Sequence, residues 1–248
     1  MSAVVLRRLA LAFAFLTRLP LRAQAADPVD VGRSVAFFPL VGLALGLVLA
    51  AVAAMLDGHL PRSVLAVLLA ALLAVLSGGL HLDGVADTCD ALGAPGADRG
   101  RRLEILRDSR IGAHGAAGLV FVVLLQVTTL HAVLASGRLA TLVVFPMVAR
   151  WVAVLVIVLF PYARADGLGV AFHAHARAGD ALTATAWVLA AVLWAGGGAW
   201  LAALAAVAVA LLCARFVARR LGGVTGDVCG AAIELAGVAY LIVEVAAS

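Results

Sequence analysis

The stretch LHLDGVADTCDALG, Leu80 to Gly93, places Asp83, Asp87 and Asp90 at i, i+4 and i+7. On a helix these three carboxylates fall within a sector of about 60°. They repel one another unless a cation sits among them. Neither Asp83 nor Asp87 has an arginine four residues away to balance it, and the next arginine along the chain is Arg99. Clustered carboxylate oxygens suit a hard divalent ion, and Mg²⁺ is usually held by one or two carboxylates plus phosphate oxygens. The competing reading is a solvated acidic stripe at a helix end, which the missing counter-charges disfavour. His81 is read as a polar interfacial residue rather than a ligand.

Three further stretches carry chemistry-bearing residues. RRLEILRDSRIGAHGAAG, 101–118, combines Arg107, Asp108, Ser109 and Arg110 with Gly112 and Gly115 ahead of an apolar run. Backbone N–H groups at a helix start bind anions, and glycine permits close approach. The alternative is a charged loop with a glycine-eased helix start. RRLGGVTGDVCGAAIEL, 219–235, holds Gly222, Gly223, Thr225, Gly226 and Asp227, with Glu234 seven residues after Asp227 on the same helical face. A carboxylate at membrane depth costs about 2.5–3.5 kcal/mol on insertion scales, which marks Glu234 as a functional candidate. YARADGLGVAFHAHARAGD, 162–180, offers Arg164 and an HxH pair, His173 and His175. The pair is read as polar loop rather than as a metal site.

The elements that must position these residues are membrane helices. Of 248 residues 65% are hydrophobic and 13% charged, and mean hydropathy is +1.13. Soluble domains average about 45–50% apolar and about 25% charged residues. The expected fold is therefore all-α: a polytopic integral membrane helical bundle, one domain over 1–248. Seven segments have about the length of a span: 34–56, 61–80, 116–135, 139–160, 181–198, 199–217 and 229–247. Segment 1–19 is shorter and carries Arg7, Arg8 and Arg18; it is read as an interfacial helix, with an eighth, shallow span as the alternative. It has no usual cleavage site and is expected to be retained. Pro20 and Pro61 mark element edges, Pro39 and Pro146 predict kinks, and 195–199 reads as a tight turn. Cys89, Cys213 and Cys229 are scattered and form neither a disulfide framework nor a zinc motif.

All 18 basic residues are arginine, and the net charge of +4 gives no reason to expect nucleic acid. Fifteen arginines lie in or beside 1–33, 81–115, 161–180 and 218–228. The positive-inside rule places these loops in the cytoplasm. All four chemistry-bearing stretches then share one face, as a metal-assisted phosphoryl or nucleotidyl transfer site at the membrane surface requires.

GGLHLDGVADTCDALG, RLEILRDSRIGAHG and LGGVTGDVCGAAIEL together resemble the cobalamin synthase family, the adenosylcobinamide-GDP ribazoletransferases. FLTRLP (15–20) and ARWVAVL (149–155) fit as well, so the resemblance spans nearly the whole chain. It implies a multi-pass enzyme of the inner membrane with its active site facing the cytoplasm. It also implies Mg²⁺ dependence, the substrates adenosylcobinamide-GDP and α-ribazole or its 5′-phosphate, and release of GMP. The family's acidic motif falls on Asp83, Asp87 and Asp90 as metal ligands. Its DSRIG motif falls on Asp108, Ser109, Arg110, Ile111 and Gly112, and its late glycine motif on Gly222, Gly223, Thr225, Gly226 and Asp227. Asp108, Arg110 and Asp227 are the expected catalytic groups. Arg107, Ser109, Gly112, Gly115, Arg164, Gly222, Gly223, Thr225, Gly226 and Glu234 are the expected substrate contacts. Position 91 is Ala where many relatives have Gly. A homo-oligomer is compatible with so small a bundle. The nearest rival, a CDP-alcohol phosphotransferase, requires Ala where Asp87 stands and Arg where Thr88 stands. A secondary transporter would place its charge near the midplane rather than in loops on one face.

Overall fold

The computed structural model describes residues 3–19, 27–167 and 169–247, so Pro20 lies outside it. Twelve α-helices form among these residues: α1 (Ala3–Leu16), α2 (Pro28–Arg33), α3 (Phe38–Leu56), α4 (Arg62–Leu76), α5 (Leu80–Gly93), α6 (Arg99–Ile105), α7 (Ala113–Ser136), α8 (Leu139–Leu159), α9 (Gly169–His175), α10 (Ala178–Ala195), α11 (Ala199–Leu221) and α12 (Gly226–Ala246). A 3₁₀ turn, Ser34–Phe37, joins α2 to α3. The all-α expectation holds: the described residues form no strand, only isolated bridges at Asp57–Leu60 and Tyr162–Val224.

Six helical stretches are long and apolar enough to cross a membrane: Pro28–Leu56, α7, α8, α10, α11 and α12. The expected seventh span, 61–80, is different in form. It is a 15-residue helix, α4, that breaks at Ser77–Gly79 and turns 89° into α5. Gly78 and Gly79 both adopt left-handed backbone (φ 68° and 71°), a conformation that side-chain-bearing residues rarely take. We read α4 as the membrane leg and α5 as a helix lying across the polar end, outside the spans. Pro39 opens α3 instead of kinking it, because its missing N–H falls in the first turn, where no intrahelical partner exists. Pro146 does lie inside α8. The 195–199 stretch turns as expected, with Gly196 and Gly197 at positive φ.

α8 is the central staff. Val144, Val148, Val152 and Val156 are fully buried along it, and α3, α10, α11 and α12 pack around it. Leu182 and Leu193 on α10 and Phe121 and Leu124 on α7 are exposed, as lipid-facing residues should be. α1 has 14 residues and buries Leu11, Ala12 and Leu16. Its Arg7 and Arg8 both pair with the buried Asp30 of α2, Arg8 Nε at 2.7 Å. These pairs pin α1 across the start of the first span.

Candidate active site

The loops after α4, α6, α8 and α11 converge at one end of the bundle. α5 owes its position to α12. A Cβ on Gly84 would lie 2.5 Å from the Asp227 carbonyl oxygen, so only glycine lets the two helices approach this closely. Arg102 of α6 donates to the Leu92 carbonyl (3.1 Å) and to that of Ala91, closing the end of α5 with a cation where the helix dipole favours one.

The late glycine motif acts through backbone pairing. Gly222 ends α11 in left-handed backbone (φ 73°). A Cβ on Gly223 would meet the Pro161 carbonyl oxygen at 2.5 Å. The chain there pairs with the loop after α8: the Val224 N–H donates to Pro161 O and the Ala163 N–H to Val224 O, both at 2.8 Å. This pairing carries Arg164 to the start of α12. Its Nη2 donates to Asp227 Oδ2 at 2.8 Å and to the Leu106 carbonyl at 3.0 Å. Thr225 caps α12, accepting from the Val228 N–H, and its hydroxyl donates to Asp227 Oδ2 at 3.1 Å. Gly226 begins the helix with open space around its Cα.

The three clustered aspartates have different surroundings. Asp90 accepts the Gly112 N–H at 2.6 Å and the Gly115 N–H at 2.8 Å, one on each oxygen. The anion at the glycine-eased start of α7 is thus the chain's own carboxylate. Asp83 is exposed and Asp87 half-buried, and neither accepts a hydrogen bond from a described residue. Partial burial, then the charges of Asp83, Asp227 and Asp90, push the Asp87 carboxyl up to about 7. Carboxylates that raise one another's pKa make a site that favours a cation.

Fit to Mg²⁺ follows from this donor set. Asp83 and Asp87 offer hard oxygens with no competing protein donor. Among the described residues no three His, Cys, Asp or Glu side chains already form a metal-ligating group. Two free carboxylates are nonetheless what Mg²⁺ usually takes from protein when phosphate oxygens supply the rest.

The DSRIG loop borders this cluster. Asp90, Asp108, Arg110, Ile111 and Gly112 line an open concavity of about 400 Å³. Arg110 Nη2 donates to Asp108 Oδ2 at 2.6 Å, and its Nε reaches Oδ1 at 3.0 Å. These bonds hold the exposed Asp108 carboxyl down to about 2. Arg107 pairs with Asp166 at 2.6 Å. Ser109 is exposed beside them.

On the other side of Asp227 lies a second, largely apolar cavity of about 230 Å³. Phe15 of α1, Phe38 of α3 and Phe172 of α9 wall it, with ring centroids 4.6 to 5.9 Å apart. Glu234 does not line it. It sits behind His81, with Oε1 3.8 Å from the imidazole Nδ1, and Arg150 Nη2 approaches the same Nδ1 at 3.5 Å and bonds Ser77 Oγ at 3.0 Å. Arg150, an arginine inside an apolar run, was the visible sign of this buried cluster. The phenyl walls had no such sign, because their apolar neighbours in sequence look like ordinary span, whereas His81 and His173 are visible in the sequence but read as interfacial and polar-loop residues; the structure buries His81 and puts His173 in the helix α9.

The model of one protein family, described as cobalamin-5-phosphate synthase, matches residues 8–245. The chain belongs to that family. It is a transferase of cobalamin synthesis, as the names of its relatives also state. The adenosylcobinamide-GDP ribazoletransferase of Pseudomonas aeruginosa strain UCBPP-PA14 is 42% identical over 243 residues, covering 96% of this chain and 97% of its own. The enzyme of that name from Geotalea daltonii is 42% identical over 224 residues (88% and 87%). The one from Desulfitobacterium hafniense strain Y51 is 38% identical over 250 residues (96% of each). No solved structure matches the chain significantly. The three stretches on which the resemblance rests lie on the elements just described: α5, the loop between α6 and α7, and the start of α12.

Proposed function

We propose that the chain is a Mg²⁺-dependent ribazoletransferase of the inner membrane whose site faces the cytoplasm. It joins adenosylcobinamide-GDP to α-ribazole or its 5′-phosphate, giving adenosylcobalamin or its phosphate and GMP. The observation that carries this reading is the pair of unpartnered carboxylates, Asp83 and Asp87, beside the Arg164–Asp227 pair and the DSRIG loop. An acidic pocket flanked by arginines suits a pyrophosphate that arrives with its cation.

Asp83 and Asp87 would hold Mg²⁺, with Asp90 alongside fixing the start of α7. Bound there, the ion neutralises charge on the pyrophosphate oxygens. A secondary ribose hydroxyl of the ribazole, free in both acceptors because only the 5′-oxygen carries phosphate, attacks the phosphorus that bears cobinamide, the bond to the bridging oxygen breaks, and GMP leaves with that oxygen. Arg110, at the edge of the open concavity, and Arg107 behind it offset charge on the departing phosphate. Asp227 is the better placed proton acceptor: Arg164 and Thr225 occupy its Oδ2 and no described donor bonds Oδ1. Asp108 is poorly suited to that role, since Arg110 engages both of its oxygens.

The test is GMP release by purified protein given adenosylcobinamide-GDP, α-ribazole 5′-phosphate and Mg²⁺. Product from wild type and none from a folded Asp87→Asn variant is the expected result. Wild type without product, or an Asp87→Asn variant with full turnover, would overturn the reading.

A further inference from the structure

The apolar cavity beside Asp227 takes no part in the chemistry above, yet it is built rather than incidental. Gly226, Gly230 and Ile233 line it at i, i+4 and i+7, so it runs about 10 Å along α12, from the polar end inward. Three buried side-chain nitrogens around it lack a hydrogen-bond partner: His81 Nε2, His173 Nε2 and Arg164 Nε. Buried polar groups are nearly always satisfied, so three orphans on one cavity point to a ligand that supplies their partners.

We propose that this cavity seats the acceptor nucleoside, its flat heteroaromatic base against the packed cluster of Phe15, Phe38 and Phe172 and its ribose toward Asp227. The proposal rests on the ribazoletransferase reading. Size supports it. At about 230 Å³ the cavity falls below the about 300–1,000 Å³ of clefts that take drug-sized ligands. It admits one bicyclic ring and excludes a corrinoid, which must stay over the open concavity beside Asp90.

Polarity distinguishes the acceptor base from the guanine of the donor. Guanine carries several exocyclic and ring donors and acceptors, which phenyl and aliphatic walls would leave unpaired. The base of α-ribazole offers one unsubstituted ring nitrogen with a lone pair. His81 can meet that need. Its Nδ1 lies 3.5 Å from Arg150, a donor only, closer than the Glu234 oxygen at 3.8 Å, and this arrangement favours the N–H on Nε2. His173 has the opposite tautomer: its Nδ1 donates to the Gly169 carbonyl at 3.0 Å, so its Nε2 accepts, as a ribose hydroxyl requires. Tyr162 stacks on His173 with ring centroids 4.7 Å apart and fixes that ring. Arg164 Nε lies at the mouth, where a 5′-oxygen or 5′-phosphate would arrive. One nucleoside in this orientation satisfies all three orphan nitrogens and turns a secondary ribose hydroxyl toward Oδ1 of Asp227, which no described donor bonds.

The experiment uses the full chain in phosphatidylethanolamine–phosphatidylglycerol nanodiscs. Equilibrium binding of radiolabelled α-ribazole is measured in EDTA, without donor, for wild type and for Ile157→Trp and Ala153→Phe, which fill the cavity from α8. At least tenfold weaker binding is expected in both. In turnover the KM for α-ribazole should rise by the same factor and that for adenosylcobinamide-GDP should not move. Wild type that turns over while both folded variants bind α-ribazole normally would overturn the assignment and leave the enzyme reading standing. A rise in the donor KM instead would place guanine in the cavity. Wild type that neither binds α-ribazole nor releases GMP removes both readings. Ultraviolet crosslinking of an azido-ribazole to wild type needs no variant: label on the peptides holding Phe15 or Phe172 supports the assignment, and label confined to 104–112 overturns it.

Discussion

Arg164 Nη2 stands 2.8 Å from Asp227 Oδ2, joining the loop after α8 to the first turn of the last span. The same guanidinium bonds the Leu106 carbonyl, so one side chain ties three converging segments together beside the acidic cluster. Replacing Arg164 with Met should lower kcat by about 10²-fold or more, the scale of losing a preorganised charge-stabilising donor. Arg164→Lys should recover only part of this: both bonds come from the single nitrogen Nη2, which an ammonium can replace, but the Nε donor is lost. Steady-state GMP release checks both.

Asp87→Asn should abolish turnover yet stabilise the metal-free protein. Sign follows from the raised carboxyl: the folded state holds its proton more tightly than the unfolded chain, so ionised Asp87 costs stability as pH rises from about 4 to about 7. The variant's melting temperature should exceed that of wild type by a margin that widens from about pH 5 to about pH 8. The scale is about 2–4 °C per kcal/mol of repulsion relieved. Added Mg²⁺ should close the gap by raising wild type alone. Thermal melts in EDTA and in Mg²⁺ at both pH values test this.

Asp90 should behave differently from its neighbours. Asp90→Ala strands the N–H of the buried Gly115, while the exposed Gly112 N–H turns to water, and should cost about 1–3 kcal/mol of stability. Asp83→Asn, at an exposed carboxylate with no described hydrogen-bond partner, should leave stability within about 0.5 kcal/mol while impairing turnover. Denaturation measured beside activity separates the two residues.

Gly84→Ala should reduce activity sharply. The added methyl meets the Asp227 carbonyl oxygen at 2.5 Å, so α5 or α12 must shift. A displacement of about 1 Å between catalytic groups can cost about 10²-fold in rate. The same substitution at Gly179, in helical backbone with nothing within 4 Å of the added Cβ, should leave the site geometry and kcat intact.

Orientation can be read by chemical labelling. With Cys89, Cys213 and Cys229 replaced by Ser, a cysteine at Asp98 should react only from the cytoplasmic side in sealed vesicles. One at Ser136, at the far end of α7, should react only from the opposite side. The reverse pattern would refute the assigned topology.

The membrane class, the all-helical fold and the gathering of motifs at one end were determined by composition and local pattern. Hydrophobic runs of span length leave the backbone no alternative to helices in lipid. The arginine-rich loops were legible in the same way, and so was the acidic face of α5, since a helix fixes the relative directions of i, i+4 and i+7. What each carboxylate does was decided only by tertiary contacts. Asp90 became a cap because α7 begins against it, Asp227 met Arg164 because two loops pair across Gly223, and Glu234 lies behind His81 rather than on the cavity wall. The break between α4 and α5 turned on Gly78 and Gly79, whose left-handed backbone follows from packing and not from hydropathy. The cavity walled by Phe15, Phe38 and Phe172 joins residues more than 130 positions apart in the sequence. No local period encodes such a meeting; it exists because the pairs of Arg7 and Arg8 with Asp30 and the mutual ring contacts of Phe15, Phe38 and Phe172 hold α1, the first span and α9 together.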